Sequence, residues 1–138
     1  MSDERAIERV LVTYATAIDS KRFELLDGVF LPTAMLDFHE VSGRVGTYLE
    51  VRPWLEKRMA RFRALHHQLG NVAIEVTGDR ATSRAYVRAM HVYADGTDER
   101  WFEIGGVYED ELVRTAAGFR IERRVLRHVF TNGTLPTR

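Results

Sequence analysis

The chain has 138 residues and a mass of 15.9 kDa, with no cysteine, three prolines and ten glycines, which fits one compact domain over residues 1–138. Twenty basic residues cancel twenty acidic ones at a pI near 7.0. There is therefore no electrostatic footprint for nucleic acid or an anionic membrane, and the lack of cysteine excludes thiol catalysis, disulfides and cysteine-based zinc sites. With 45% hydrophobic and 29% charged residues, no apolar leader and no transmembrane-length apolar run, a soluble cytoplasmic protein is expected.

The first predicted element is a helix over roughly residues 4–19. Ile7, Val10, Leu11, Tyr14, Ala15 and Ile18 recur on one helical face, and Ser2 or Asp3 can cap it. A short second helix is predicted over 21–29, with Phe23, Leu26 and Phe30 as its apolar contacts and Leu31-Pro32-Thr33 as its stop. Residues 34–39 alternate as a strand, and Gly43 and Gly46 mark turns. Pro53 suits the first turn of a third helix, whose apolar face would carry Leu55, Met59, Phe62 and His66.

From Leu65 the period changes to two. Val72, Ile74 and Val76 share one face of a strand that ends at Gly78-Asp79. Further strands are predicted over about 81–93, 100–113 and 119–130, with turns at 94–97 and 115–118. Strands joined so tightly pair antiparallel. The fold class is α+β: a cone-like, curved antiparallel sheet packed on three N-terminal helices, with the cone mouth as the natural pocket.

Asp19 falls at the edge of the first helix's apolar stripe and at its C-terminal end, where the helix dipole disfavours a negative charge. It is either a functional carboxylate or, with Ser20, a cap for the next helix. His67 opens the strand after the third helix on the face of Asn71, where an Asp19–His67 pair would orient the imidazole as a general base. His66 reads as a packed or hydrogen-bonded core histidine. His91 shares its strand face with Ala85, Val87 and Ala89, small residues that leave room for a cavity; a buried structural histidine is the other reading. One of Arg120, Arg123, Arg124 and Arg127 facing inward would bind a leaving group or oxyanion. His39 and His128 have no partner that the pattern names. GxSxG, GxxxxGK[ST], HExxH and GxGxxG are all missing, and the adjacent pair His66-His67 is a poor metal chelate on a strand, so neither metal nor cofactor is expected.

The run Tyr14-Ala-Thr-Ala-Ile-Asp19-Ser-Lys, then Leu-Asp-Gly-Val-Phe30, His66-His67-Gln-Leu-Gly-Asn71, Gly106-Val-Tyr108 and Gly118-Phe-Arg-Ile121 resembles the SnoaL-like group of the nuclear-transport-factor-two-like superfamily. Within the group it is most similar to scytalone dehydratase, bile-acid dehydratase and lindane dehydrochlorinase. The resemblance implies an Asp–His pair at Asp19 and His67, a tyrosine role at Tyr14, a second histidine at His91 and an arginine at Arg124. Two further tyrosines of scytalone dehydratase are replaced by Ile18 and Phe38.

The expected function is a cofactor-independent lyase of the dehydratase type acting on a small, largely apolar cyclic substrate. Phe38, Trp54, Phe62, Tyr86, Phe102 and Tyr108 would supply its walls. An isomerase or polyketide cyclase would use the same proton abstraction, and a ligand-binding or assembly domain without catalysis is the reading from another class. A homo-oligomer, dimer or trimer, is expected through the sheet.

Overall fold

The computed structural model describes residues 1–137. Helix α1 spans Asp3–Asp19 and buries the predicted stripe from Ile7 to Ile18. Ser2 caps it, accepting from the Arg5 N–H at 3.2 Å, and Asp3 and Glu4 sit in the first turn where the dipole favours them. Its C-terminal end is closed by two reciprocal bonds, Arg22 N–H to Ala17 O at 2.9 Å and Lys21 N–H to Ile18 O at 3.1 Å. This is a Schellman ending, and it places Lys21 at φ 56°, a left-handed conformation that glycine more often fills.

The segment after α1 is a short 3₁₀ helix, Phe23–Gly28, rather than a full helix to Val29. Strand β1 begins at once, Phe30–Phe38, so Leu31-Pro32-Thr33, expected as the stop of the second helix, already lies in the strand that was expected from residue 34. Pro32 is tolerated because the pairing with β6 is interrupted between Phe30 and Met35, so no ladder bond needs its missing N–H. Two elements were not legible in the pattern: α2, His39–Ser42, and the short strand β2, Arg44–Thr47, separated by Gly43 at φ 78°.

Helix α3 covers Tyr48–Met59, so Pro53 lies inside it rather than in its first turn. The start is set by a capping box: Thr47 Oγ1 accepts from the Glu50 N–H, and Glu50 Oε1 accepts from the Thr47 N–H at 3.1 Å. Because α3 ends at Met59, His66 is not on its apolar face; it lies exposed on strand β3, Ala64–Thr77.

Strands β4 (Arg80–Asp95), β5 (Asp98–Thr115) and β6 (Gly118–Gly133) follow as an antiparallel meander. The sheet has six strands in the order β2-β1-β6-β5-β4-β3. The pairing of β1 with β6 is parallel, against the all-antiparallel expectation; it lies outside the hairpin logic because α2, β2 and α3 separate β1 from the meander whose last strand comes back beside it. The core fills the concave face, where α1 and α3 pack against inward residues such as Ala85, Val87, Ala89, Ile104, Leu112 and Ile121. Among the described residues no helix is long and apolar enough to cross a membrane.

Three bulges decide which residues point into the concave face. On β3, Gly70 pairs with Tyr86 but Ala73 with Arg84, so one extra residue is accommodated near Asn71, at φ 48°. Parity therefore flips: Leu65, His67 and Leu69 face inward before it, Ile74 and Val76 after it, and Val72 is exposed rather than aligned with them. On β6, Ile121 pairs with Leu112 but Arg123 with Glu111, which turns Arg124 inward where plain alternation from Ile121 would turn in Arg123. A second β6 bulge, between His128 and Phe130, comes where Gly106 and Gly105 face it on β5.

Candidate active site

The end of α1 and the start of β3 meet at Asp19 and His67. Asp19 Oδ1 lies 2.7 Å from His67 Nδ1, and both carboxylate oxygens accept from the His67 backbone N–H, at 3.1 and 2.9 Å. These bonds offset the unfavourable dipole end on which Asp19 sits. Asp19 is not a cap: Ser20 is the C-cap of α1, and the N-cap of the 3₁₀ helix is Arg22, which makes no side-chain cap bond. Lys21, held by the Schellman turn, donates its Nζ to the Phe62 carbonyl and so ties the end of α1 to the segment entering β3. With Nδ1–H donated to Asp19, the lone pair of His67 is on Nε2.

The His67 side chain is 7% exposed and that of Asp19 24%. The His67 ring lines a cavity of about 190 Å³ whose walls come from α1 (Tyr14, Ile18), Phe38, α2, α3 (Trp54, Leu55, Arg58, Met59) and the concave faces of β4, β5 and β6. Tyr14, His91 and Tyr108 are buried lining residues, and Glu40, Ser42, Arg58, His128 and Thr131 add further polar groups to the lining. The second β6 bulge keeps both His128 and Thr131 turned inward, and His128 Nε2 sits 2.8 Å from Thr131 Oγ1. The Glu40 carboxylate is held away by Arg127, at 3.0 Å, and by the His128 N–H, at 3.1 Å. His39 pairs with Asp37. Among the described residues no group of three or more His, Asp or Glu is arranged to hold a metal ion.

His91 stacks on Phe102 at 4.3 Å and 6°, and its ring centre is 6.1 Å from that of His67. Burial, with His67 nearby as a lesser cause, pushes its pKa down to about 4, so it is neutral at physiological pH. Its Nδ1 is buried without a hydrogen-bond partner. Tyr14 stands edge-on to His67, ring centres 6.5 Å apart, and edge-on to Tyr108 at 5.6 Å. Burial raises the pKa of both phenols, which keeps them protonated donors.

Of the six expected wall residues, Phe38, Trp54, Phe102 and Tyr108 line the cavity. Phe62 does not: at 2% exposure it packs behind His91 and Phe102. Tyr86 does not either, because an even position on β4 points to the convex face, where it is 46% exposed. Arg124 faces inward but stops short of the cavity, bound to Asp110 behind the two tyrosines. Asp110 went unnoticed although a signal was present, since it shares a strand face with Tyr108 and core Leu112.

Residues 1–125 match the SnoaL-like domain family. The Mycobacterium tuberculosis protein Rv2910c is 39% identical over 125 residues, covering 91% of this chain and 84% of its own. Among solved structures, a protein of Novosphingobium aromaticivorans named as a candidate aromatic ring hydroxylase superposes with a TM-score of 0.85 at 28% identity, covering 96% of this chain and 93% of its own. Another from the same organism, named as a candidate scytalone dehydratase, gives 0.78 at 25% identity, covering 97% and 89%. A hexachlorocyclohexane dehydrochlorinase, LinA type 2, gives 0.81 over 97% of this chain and 90% of its own; at 14% identity that likeness concerns the fold. The chain belongs to the SnoaL-like domain family.

Proposed function

We infer that the protein is a cofactor-independent lyase of the dehydratase type. The observation that carries this reading is the Asp19–His67 pair, 2.7 Å apart, with the imidazole on the wall of an apolar cavity. A histidine base must be neutral to accept a proton and charged afterwards; a carboxylate on Nδ1 favours the charged form and fixes the tautomer that leaves Nε2 bare. His67 Nε2 takes a proton from a carbon next to a carbonyl, and the electron pair moves into an enolate. Tyr14 donates a hydrogen bond to the developing oxyanion. The enolate collapses, the carbon–carbon double bond forms, and the β-hydroxyl leaves as water with the proton His67 collected. His91, neutral and buried, supplies a polar contact beside the same reacting atoms.

The name of the candidate scytalone dehydratase supports elimination as the reaction class. The cavity, about 190 Å³, is on the scale of the roughly 150 Å³ space that takes a benzene ring, so the substrate is a small, largely apolar, single-ring molecule. The test is a thermal-shift screen of monocyclic β-hydroxyketones, followed by mass spectrometry of each stabilising compound. Loss of water, abolished by His67→Ala, is expected. Product of unchanged mass would make the protein an isomerase or cyclase, and binding without turnover would make it a ligand-binding domain.

A further inference from the structure

Behind the two cavity tyrosines lies a buried ion pair that the steps above do not use. Arg124 Nε and Nη2 donate to Oδ1 and Oδ2 of Asp110, each at 2.8 Å, and both side chains are 1% exposed. Neither residue lines the cavity. The guanidinium carbon sits 3.8 Å from the ring centre of Tyr108 and 4.4 Å from that of Tyr14.

Stability does not account for this arrangement. A buried ion pair costs much desolvation, and apolar residues of similar volume commonly hold a fold as well or better. What apolar residues cannot supply is a fixed positive charge against two phenol rings. The guanidinium, not the carboxylate, is the end of the pair that meets the rings, and its pull on Tyr14 outweighs the push from Asp110. The charged groups around Tyr14 are thus Arg124 on β6 and Asp110 on β5, with Tyr108 on β5 and His67 on β3 as its titratable neighbours.

We propose that Asp110 and Arg124 are positioning residues that act through Tyr14, and that Arg124 itself touches neither substrate nor leaving group. The inference rests on the elimination reading given above. Asp110 fixes the guanidinium in both of its hydrogen-bonding directions; the guanidinium fixes the Tyr14 and Tyr108 rings and backs the Tyr14 hydroxyl with positive charge. As negative charge develops on a substrate oxygen, the phenol shares it, and the guanidinium stabilises that shared charge without reorganising.

The probe is 4-nitrophenol, a single-ring molecule whose absorbance distinguishes its phenol and phenolate forms when bound. In the wild-type protein the bound probe is expected to ionise at a lower pH than in Tyr14→Phe. The double variant Asp110→Leu/Arg124→Met removes the pair without leaving a lone buried charge, and its fold is checked by circular dichroism and melting. It should move the ionisation in the same direction as Tyr14→Phe, and adding Tyr14→Phe to it should change little more. With a substrate from the screen, the double variant should lower kcat by about tenfold or more with KM changed less than about twofold, and Arg124→Lys should recover part of kcat. An ionisation unchanged by the pair's removal, or additive losses, would overturn the proposal. Turnover that survives the pair's loss but not His67→Ala would overturn it and leave the lyase reading intact. A normal probe response without turnover of any substrate would do the reverse.

Discussion

At the scale of single residues, the proposed elimination rests on His67, which would change its charge during each turnover. Asp19→Asn keeps the shape of the pair and removes the charge that favours the imidazolium, so proton transfer should slow by roughly a hundredfold or more. His67→Ala should cost at least as much, and the double variant no more than the worse single one, because the two act as a unit. Steady-state turnover of the three variants checks this; near-full activity in folded Asp19→Asn would remove the dyad from the mechanism. His91 makes a separate prediction, for stability. Its pKa lies at about 4 in the folded protein, lowered chiefly by burial, against 6.5 for the unconstrained side chain. Above pH 6.5 it is neutral in both states and adds no pH dependence. As pH falls from 6.5 towards 4 the unfolded chain takes up a proton that the folded one refuses, so stability declines across that window, by on the order of 3 kcal/mol at the acid end. His91→Phe keeps an aromatic ring on Phe102 and should flatten that decline in denaturant titrations; parallel wild-type and variant curves would show that His91 does not carry it.

At the scale of elements, the two bulges of β6 decide that Arg124, His128 and Thr131 point inward. The Gly105-Gly106 step on β5 faces the second β6 bulge, and the two glycines are needed for different reasons. A Cβ on Gly106 would come within 2.6 Å of the Arg127 carbonyl oxygen, which is backbone and cannot swing away. The three atoms nearest a Cβ on Gly105 all belong to the ring of Phe130, an exposed side chain that can rotate off. Gly106→Ala should therefore cost about 1–3 kcal/mol and Gly105→Ala distinctly less, read as midpoints of chemical unfolding. The reverse order would mean that the Phe130 ring is the fixed member. The same devices explain what was legible from sequence. Apolar period 3.6 in α1 and period two in β4 and β5 announced those elements and their inward faces, because burial writes itself into the pattern. Asp19 and His67 could be paired in advance because each sits at an element end whose neighbour is set by topology. A bulge has no such signature: nothing in the composition of residues 119–130 says that one residue is skipped, so the inward turn of Arg124 came from resemblance, and Asp110 was missed. Helix α3 was displaced because its start lies in a capping box at Thr47 and Glu50, a stronger signal than Pro53.

At the scale of the whole molecule, the two faces of the sheet are unequally covered. The concave face is closed by α1 and α3, whereas the convex face carries Tyr86, Trp101, Val129 and Phe130, all exposed. Tyr86, Val129 and Phe130 border one shallow groove with Leu69, Val107 and the two glycines, and Gln68, Asn71, Arg84 and Arg88 add polar groups to it. Of the two arginines that line it, Arg84 lies over the Tyr86 ring, 5.7 Å from its centre, and Arg88 is paired within the chain. Arg88 binds Glu103 through two bonds of 3.0 Å, and Arg127 binds Glu109 at 2.8 Å. Pairing of Arg88 within the chain and the seat of Arg84 on the Tyr86 ring lower the cost of burying such a surface against another protein. The expected occupant is a second copy of the chain, giving a dimer or trimer through the sheet. Light scattering at micromolar concentration should report more than one chain per particle. Tyr86→Glu places a carboxylate in the groove and should shift the particle towards the monomer. The cavity opens on the opposite face, so the dissociated chain should still bind cavity ligands in the thermal-shift assay. A wild-type monomer at that concentration would show that the convex face has no copy of itself to cover it.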